Sequence, residues 1–536
     1  MTEPYTDGTG AFHPSEVRVE RGARIAGDRT VRFDACVIGT GAGGAPVAKE
    51  LAEGGLRVAM LEDGERFTPE DFDARPREGT IRMYRDAGQV VTLGNVPIVM
   101  PMGRTVGGTT TVNSGTCFRT PAPVLEMWAR EFGLDGLTPD SLDPFFRRVE
   151  REINVVQVPP EIAGRNALVV KRGADALGWH GDFIHRNVRG CVGSGVCAFG
   201  CPTGAKQHTG VTYVPKAWEA GAVTYSGCRA ERIVTERGRA RAVEARTSGG
   251  GRLRVECDLV IVACGAILTP LFLRRQGVRA PGLGENLSLH PATGVRALFD
   301  EEIDMARGVP QSFYIDEYAD ERIMFEGAAG PPDYAAMSFP FSRERHRDLM
   351  LRYLNVSQFG LMVSDTSRGS VRQRGRRAEI HYDLNRADTE AFRRGIELLC
   401  ELYWAAGAER VYPPVDGVGE LLDGDTAPLR RELRPRELLL MAFHPLGTAR
   451  MDARPDRGTL DADGALRAIE GVHVADAAAV PSSLGVNPQI TIMALATRLA
   501  FHLLGKTPPE DEPQPDSYAQ PRIGTAHVAR PVSAGA

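Results

Sequence analysis

FDACVIGTGAGGAPVAKELAEGGLRVAMLEDG, residues 33–64, decides the fold. The apolar run from Ala35 to Ile38 is short and shows no polar alternation, as expected of a strand buried on both faces. Glycines follow at once, then a helical pattern over about 43–54, then a second buried strand from Leu56 to Leu61. That is a β-α-β unit, the building block of parallel sheets. Further along, DLVIVACGA at 258–266 runs into the helical ILTPLFLRRQG, and GVHVADAAAVP at 471–481 leads to a long apolar helix starting near Pro488. Strands and helices spread from residue 33 to 505 predict a doubly wound parallel sheet assembled from distant segments.

Between about 293 and 439 the texture changes. Strand-like runs TGVRALF, LNVSQFGLMV and AEIHYDL precede an amphipathic helix, TEAFRRGIELLCELYWAAG, which predicts a separate sheet with helices on one side. From Thr507 the chain is rich in proline, charge and small residues without an apolar period, so 507–536 is expected to be a disordered tail. A chain of 536 residues exceeds a single core and is expected to hold several folding units. With 42% apolar and 25% charged residues and a net charge of -5, it lacks the basic excess of a nucleic-acid binder. The polar, acidic start MTEPYTDGTGAFHPSEVRVE has no signal-peptide pattern, and no run of about 18 apolar residues is present to span a bilayer. A cytoplasmic protein is expected. Nine cysteines in such a chain argue against a disulfide framework.

Gly39-Thr40-Gly41-Ala42-Gly43-Gly44 fits G-x-G-x-x-G between strand and helix. The first glycine permits the tight turn, the second lets backbone approach a pyrophosphate, and the third allows close helix–strand packing at a helix N-terminus that favours anions. Glu62, at the end of the next strand, is placed to accept hydrogen bonds from ribose hydroxyls. FAD and NAD use the same turn, so it says dinucleotide and no more.

The remaining blocks are more specific. MGRTVGGTTTVNSGTCFRTP at 102–121 combines glycines with small hydroxyl residues, a composition suited to close approach of a flat ligand. GENLSLHP at 284–291, FHPLGTARM at 443–451 and VADAAAVPSSLGVNPQITIMALA at 474–496 follow. In content and order these blocks, with the Gly39 turn, resemble the glucose-methanol-choline (GMC) flavoprotein oxidoreductases over about residues 30–506. The resemblance implies an α/β fold: a discontinuous Rossmann-like FAD-binding domain from 31–150, 205–292 and 440–506, and a second, α+β substrate domain from 151–204 and 293–439 on an antiparallel or mixed sheet. It implies that FAD is held by Gly39, Gly41, Gly43, Gly44 and Glu62. The flavin ring would lie against Gly103, Thr105, Gly107, Gly108, Thr109 and Asn113, and its ribityl and pyrimidine side against Asp476, Asn487, Pro488 and Gln489. His444 and Asn487 would face flavin N5. Asn487 in GVNP resembles the sterol-oxidising members.

The chemistry asks for these residue types. A neutral imidazole suits the general base that takes the hydroxyl proton of an alcohol. Asn487 can offer an amide N–H to the same oxygen, and the flavin takes the hydride. His290, in LSLHP, is expected to have a supporting role. The electrons pass to O₂ or to an external acceptor. The competing readings are a lyase that uses its flavin structurally and a non-redox flavin-binding protein.

RGCVGSGVCAFGCPTGAK, from 189 to 206, sets Cys191, Cys197 and Cys201 in the spacing C-x5-C-x3-C followed by Pro202, a texture in which iron–sulfur clusters are held. The segment resembles the cysteine region of bacterial flavin-dependent glucose dehydrogenases, which implies a three-iron cluster near the flavin. It also resembles long-chain alcohol oxidases, where no cluster is implied, and Val192 stands where the dehydrogenases tend to have a further cysteine. Reduced thiols, a local disulfide and a zinc site with His208 as fourth ligand stay open beside the cluster. The substrate is expected to be a small-molecule alcohol, bulky and apolar, in a pocket shaped by Phe313, Tyr314, Phe325, Phe339, Phe341, Tyr353 and Phe359.

Overall fold

The computed structural model describes residues 18–509 and 521, apart from 328, 337, 338, 340 and 376, so the tail expected over 507–536 lies almost wholly outside the described residues. The opening β-α-β unit forms as expected: strand Ala35–Ile38, helix Gly44–Glu53, strand Val58–Leu61. The second strand starts two residues later than its apolar pattern because the helix ends on Gly54 and Gly55, the latter at φ +93, and Leu56 N–H returns to the Leu51 carbonyl at 3.1 Å.

This unit sits inside a six-stranded sheet of order Val19–Arg21, Val223–Ser226, Val58–Leu61, Ala35–Ile38, Leu259–Val262 and Val472–Val474, every pair parallel. Helices Leu268–Arg275 and Gln489–Leu503 follow the two distant strands, as their apolar patterns predict. The last strand is only three residues long because Asp476 turns the chain, accepting the Ala478 N–H at 2.7 Å. Val19–Arg21 and Val223–Ser226, at one edge, carry too little pattern to be read from the sequence.

The second sheet is eight-stranded and mixed. Its path runs Ile98–Val99, Leu440–Ala442, Pro291–Leu298, Val356–Val363, Ile323–Glu326, Phe313–Ile315 and Gly181–Phe183, with Arg410–Tyr412 also on Pro291–Leu298. Only the Ile98–Val99 pairing is parallel. The amphipathic helix Arg386–Ala405 packs on one face through Phe392, Ile396 and Leu399, against Phe359 and Leu361. AEIHYDL does not join this sheet; Arg377–His381 pairs with Ser370–Arg374 in a hairpin of its own. Among the described residues no helix is long and apolar enough to cross a membrane.

Candidate active site

The Gly39–Gly44 turn leaves the carboxyl end of Ala35–Ile38, whose neighbours Val58–Leu61 and Leu259–Val262 lie on opposite sides, the place where open α/β sheets take ligands. Gly39 adopts φ +106, and a Cβ there would meet the Ala263 carbonyl oxygen at 2.2 Å. At Gly43 a Cβ would fall 1.5 Å from the Ala475 carbonyl oxygen, so that glycine is required by packing alone. Gly41 differs: a Cβ would find nothing nearer than Gly108 Cα at 3.7 Å, so its backbone stays bare. The helix starting at Gly44 has no side-chain cap, which leaves its first N–H groups for an anion.

The other sequence-selected residues join this turn through short contacts. Thr40 Oγ1 donates to Glu62 Oε2 at 2.8 Å and accepts the Gly107 N–H at 3.0 Å. Glu62 Oε1 takes the Gly64 N–H at 2.9 Å, and burial pushes its carboxyl up despite these bonds. Gly108, at φ +55, lies against Gly41. Gly103 N–H donates to Thr109 Oγ1 at 3.1 Å, and Thr105 Oγ1 to the Glu65 carbonyl at 2.9 Å. Asp476, pushed up by burial, accepts from Thr269 Oγ1 at 2.5 Å and Gly265 N–H at 2.8 Å. Asn113 Nδ2 donates to Gln489 Oε1 at 2.9 Å, and Pro488 opens the helix that Gln489 begins. Bare glycine backbone, an open helix N-terminus and a buried acid at the neighbouring strand end fit a dinucleotide.

Where the two sheets meet, His444 Nε2 lies 3.3 Å from Asn487 Nδ2. That pairing was legible in the sequence; a third member was not. Asn487 Nδ2 also donates to Glu326 Oε1 at 3.0 Å, and burial raises the Glu326 carboxyl to about 7, with hydrogen bonds from Asn487 and Gln311 opposing the shift. Glu326 ends a short strand, IMFE, whose one acidic residue looks like any strand-end charge until the sheet is assembled. His444 stays neutral well below the ordinary imidazole range, first because it is desolvated and second because the His290 ring stands 5.4 Å away. His444 Nδ1 and Asn487 Oδ1 are buried without a hydrogen-bond partner among the described residues, so polar capacity is held ready for a ligand. His290 supports the site from behind: at φ +46, its Nε2 accepts the Leu484 and Gly485 N–H groups at 2.7 and 3.0 Å, fixing the loop that carries Asn487.

The aromatic set divides. Phe313, Phe325 and Phe359 belong to the core on the helix side of the eight-stranded sheet, while Phe339, Phe341 and Tyr353 form a separate apolar cluster. Tyr314, one residue from Phe313, points to the other side and meets Phe118 edge-on at 5.3 Å. Composition could not distinguish two faces that strand alternation separates.

Among the described residues no group of three or more His, Cys, Asp or Glu side chains is placed to hold a metal ion, and Cys191, Cys197 and Cys201 are all free thiols. A guanidinium stands beside two of them: Arg186 Nη2 lies 3.1 Å from Cys197 Sγ, and Cys191 also bonds Arg186. Cys201 Sγ turns to Thr203 Oγ1 at 3.5 Å. The three thiols are not drawn to one point, so their arrangement does not fit a cluster. Burial pushes the Cys197 thiol up, but Arg186 and Lys206 outweigh it and hold the thiol below its ordinary value. His208 does not reach the cysteines as a zinc ligand; its Nδ1 faces Thr111 Oγ1 at 3.3 Å, and burial drops its basicity to about 3.

Comparison with known proteins agrees with the architecture. Residues 80–292 and 365–496 match the N- and C-terminal family models of GMC oxidoreductases. An uncharacterised GMC-type oxidoreductase of Mycobacterium tuberculosis is 42% identical over 489 residues, covering 89% of this chain and 76% of that protein. A long-chain-alcohol oxidase of Arabidopsis thaliana is 27% identical over 530 residues, 90% of this chain and 70% of that one. The crystal structure of pyridoxine 4-oxidase from Mesorbium loti superposes with a TM-score of 0.69 over 88% of this chain and 99% of its own, at 19% identity, a likeness of fold. With the expected blocks in place and both halves matched, the chain belongs to the GMC oxidoreductases, a family of flavin-dependent oxidoreductases.

Proposed function

We propose that this protein binds FAD and oxidises an alcohol to a carbonyl compound, with His444 as the base. The observation that carries the reading is the contact chain His444–Asn487–Glu326, in which a neutral imidazole, an amide and a carboxyl stand in line. Gly39, Gly41, Gly43, Gly44, Glu62 and Asp476 would hold the dinucleotide, and Gly103–Asn113 with Asn487–Gln489 its flavin end. When bound, FAD supplies the acceptor for the hydride leaving the carbinol carbon.

The chain's own groups manage the proton and the orientation. His444, kept neutral by desolvation, can accept the hydroxyl proton at Nε2. A substrate oxygen that takes the place of His444 Nε2 as acceptor of the Asn487 Nδ2 hydrogen would be held in register, and that N–H would oppose the growth of negative charge on it. Glu326 fixes the Asn487 amide and, when ionised, favours the protonated imidazole that the reaction creates. Within the proposed division, 31–150, 205–292 and 440–506 carry the cofactor and 151–204 and 293–439 shape the pocket. The name of the long-chain-alcohol oxidase relative supports an apolar substrate body. Electrons leave to O₂ or to an external acceptor.

Anaerobic mixing with primary, secondary and sterol alcohols should bleach the flavin absorbance with at least one class, and His444→Ala should slow that bleaching by about 10²- to 10⁴-fold. Flavin that no alcohol reduces would sink the reading. Peroxide formed on admitting air, without an added acceptor, assigns O₂ as the oxidant.

A further inference from the structure

The runs TGVRALF and LNVSQFGLMV form neighbouring antiparallel strands whose register sets Gly294 opposite Gly360 and Arg296 opposite Gln358. On the next strand Phe325 pairs with Leu361, which brings Glu326 beside Gly360; a Cβ on Gly360 would sit 2.7 Å from the Glu326 carbonyl oxygen. Alternation sends Val295, Phe325, Phe359 and Leu361 into the helix-side core. Glu326, Gly360, Gly294, Gln358 and Arg296 therefore share the opposite face, the one Asn487 touches. On that face Glu326, Gly360, Gly294 and Gln358 all keep accessible surface although their strand neighbours are mostly buried. Two glycines side by side thus leave a bare floor leading away from the His444–Asn487 pair.

Arg296 stands at the far end of this floor. It is 3% exposed, its Nε donates to Gln358 Oε1 and its Nη1 to the Gly294 carbonyl, each at 3.1 Å. No carboxylate pairs with it among the described residues; the ionisable groups near it are the phenols of Tyr334 and Tyr403, and desolvation pulls the guanidinium down to about 10. Leaving a buried cation without a counter-ion is costly, and the cost is recovered when a ligand supplies the anion. Nη2 has no hydrogen-bond partner among the described residues, so the end of the guanidinium can still take a carboxylate side-on.

We infer that Arg296 receives a carboxylate at the far end of the substrate, so that the alcohol oxidised is a hydroxy acid, its hydroxyl at His444 and Asn487 and its acid group at Arg296. This rests on the alcohol-oxidising reading above. A single guanidinium matches a monoanion in preference to a phosphate dianion. Two strand spacings across and one two-residue step along put the Cα atoms of Glu326 and Arg296 about 12 Å apart, so hydroxyl and acid group would stand at opposite ends of a chain of several methylenes. A straight-chain ω-hydroxy acid is the expected class. The acid group takes no part in the redox step, in which the carbinol carbon loses a hydride and the hydroxyl a proton.

The test uses the FAD-loaded enzyme with an ω-hydroxy acid and the unsubstituted alkanol of equal length, and a plain fatty acid of that length as a non-reacting probe. The hydroxy acid should be preferred in kcat/KM by roughly 10- to 100-fold, chiefly through KM, and Arg296→Met should reduce that ratio by the same factor while Arg296→Lys keeps part of it. The fatty acid should perturb the flavin spectrum and compete with substrate in the parent enzyme, and do so more weakly in Arg296→Met. Gly294→Val, placed where a Cβ meets only ordinary or slightly tight contacts, should produce the same selective loss by blocking the floor. Equal kcat/KM for the two alcohols, a ratio indifferent to both substitutions, or equal fatty-acid binding by parent and Arg296→Met would overturn the inference. If no alcohol reduces the flavin while fatty-acid binding still depends on Arg296, the carboxylate site stands and the alcohol reading falls.

Discussion

Replacing Glu326 by glutamine should make the protein more stable in alkaline solution and less active there. Burial holds the Glu326 carboxyl at about 7 against an ordinary 4.5, so the folded state binds this proton more tightly than the unfolded chain does. The stabilisation from that proton is complete below the ordinary value and is lost as the pH rises to about 7. Above it, the fold carries an ionised group in a desolvated position. At about 1.4 kcal/mol per pH unit the difference amounts to at most about 3 kcal/mol. Glutamine has nearly the same shape, can still accept the Asn487 amide and never ionises. Thermal melts of the two proteins should therefore nearly coincide at about pH 4 and separate at about pH 8.5, with the variant higher by a few degrees. In the same variant, kcat/KM for the best alcohol should fall by about 10²-fold and lose any step near neutrality, because no carboxylate forms beside Asn487. A variant that melts below the parent at both pH values, or one that keeps a step near neutrality, would refute the placement of this charge at the site.

Two glycines of the turn should fail in different ways. Gly43→Ala drives a Cβ into the Ala475 carbonyl and should lower yield and melting temperature, whereas Gly41→Ala, whose Cβ makes only an ordinary contact with Gly108, should melt as the parent apoprotein does and hold less FAD, read as flavin absorbance per chain. Anaerobically purified protein should carry neither iron nor acid-labile sulfide, since the three thiols are not gathered as a ligand set; stoichiometric iron on the three cysteines would contradict that geometry. Arg186→Met should raise the pH at which the Cys197 thiolate forms, followed by its ultraviolet absorbance against a Cys197→Ser control.

How much of the site could be read without coordinates depends on the distance over which each feature is encoded. The Gly39 turn, its strand and its helix lie within a few residues of one another, and period and glycine placement are local properties. His444 and Asn487 stand in short blocks whose residue order carries the family pattern. Glu326 was missed because its partner Asn487 is 161 positions away and only sheet register brings them together. The surroundings of the cysteine segment were illegible for the same reason: spacing gives the order of the thiols along the chain, whereas Arg186, held by the Ser114 carbonyl, reaches Cys197 only in the fold.

The sequence by itself determined the parallel sheet, the dinucleotide turn, the family and the histidine–asparagine pair, because each is written in contiguous residues. The tertiary structure decided which face of the second sheet meets that pair, and with it the roles of Glu326, Gly294, Gly360 and Arg296. A strand puts alternate residues on opposite sides and does not say which side will be covered. Only the packing of Arg386–Ala405 on one face left the other to the site.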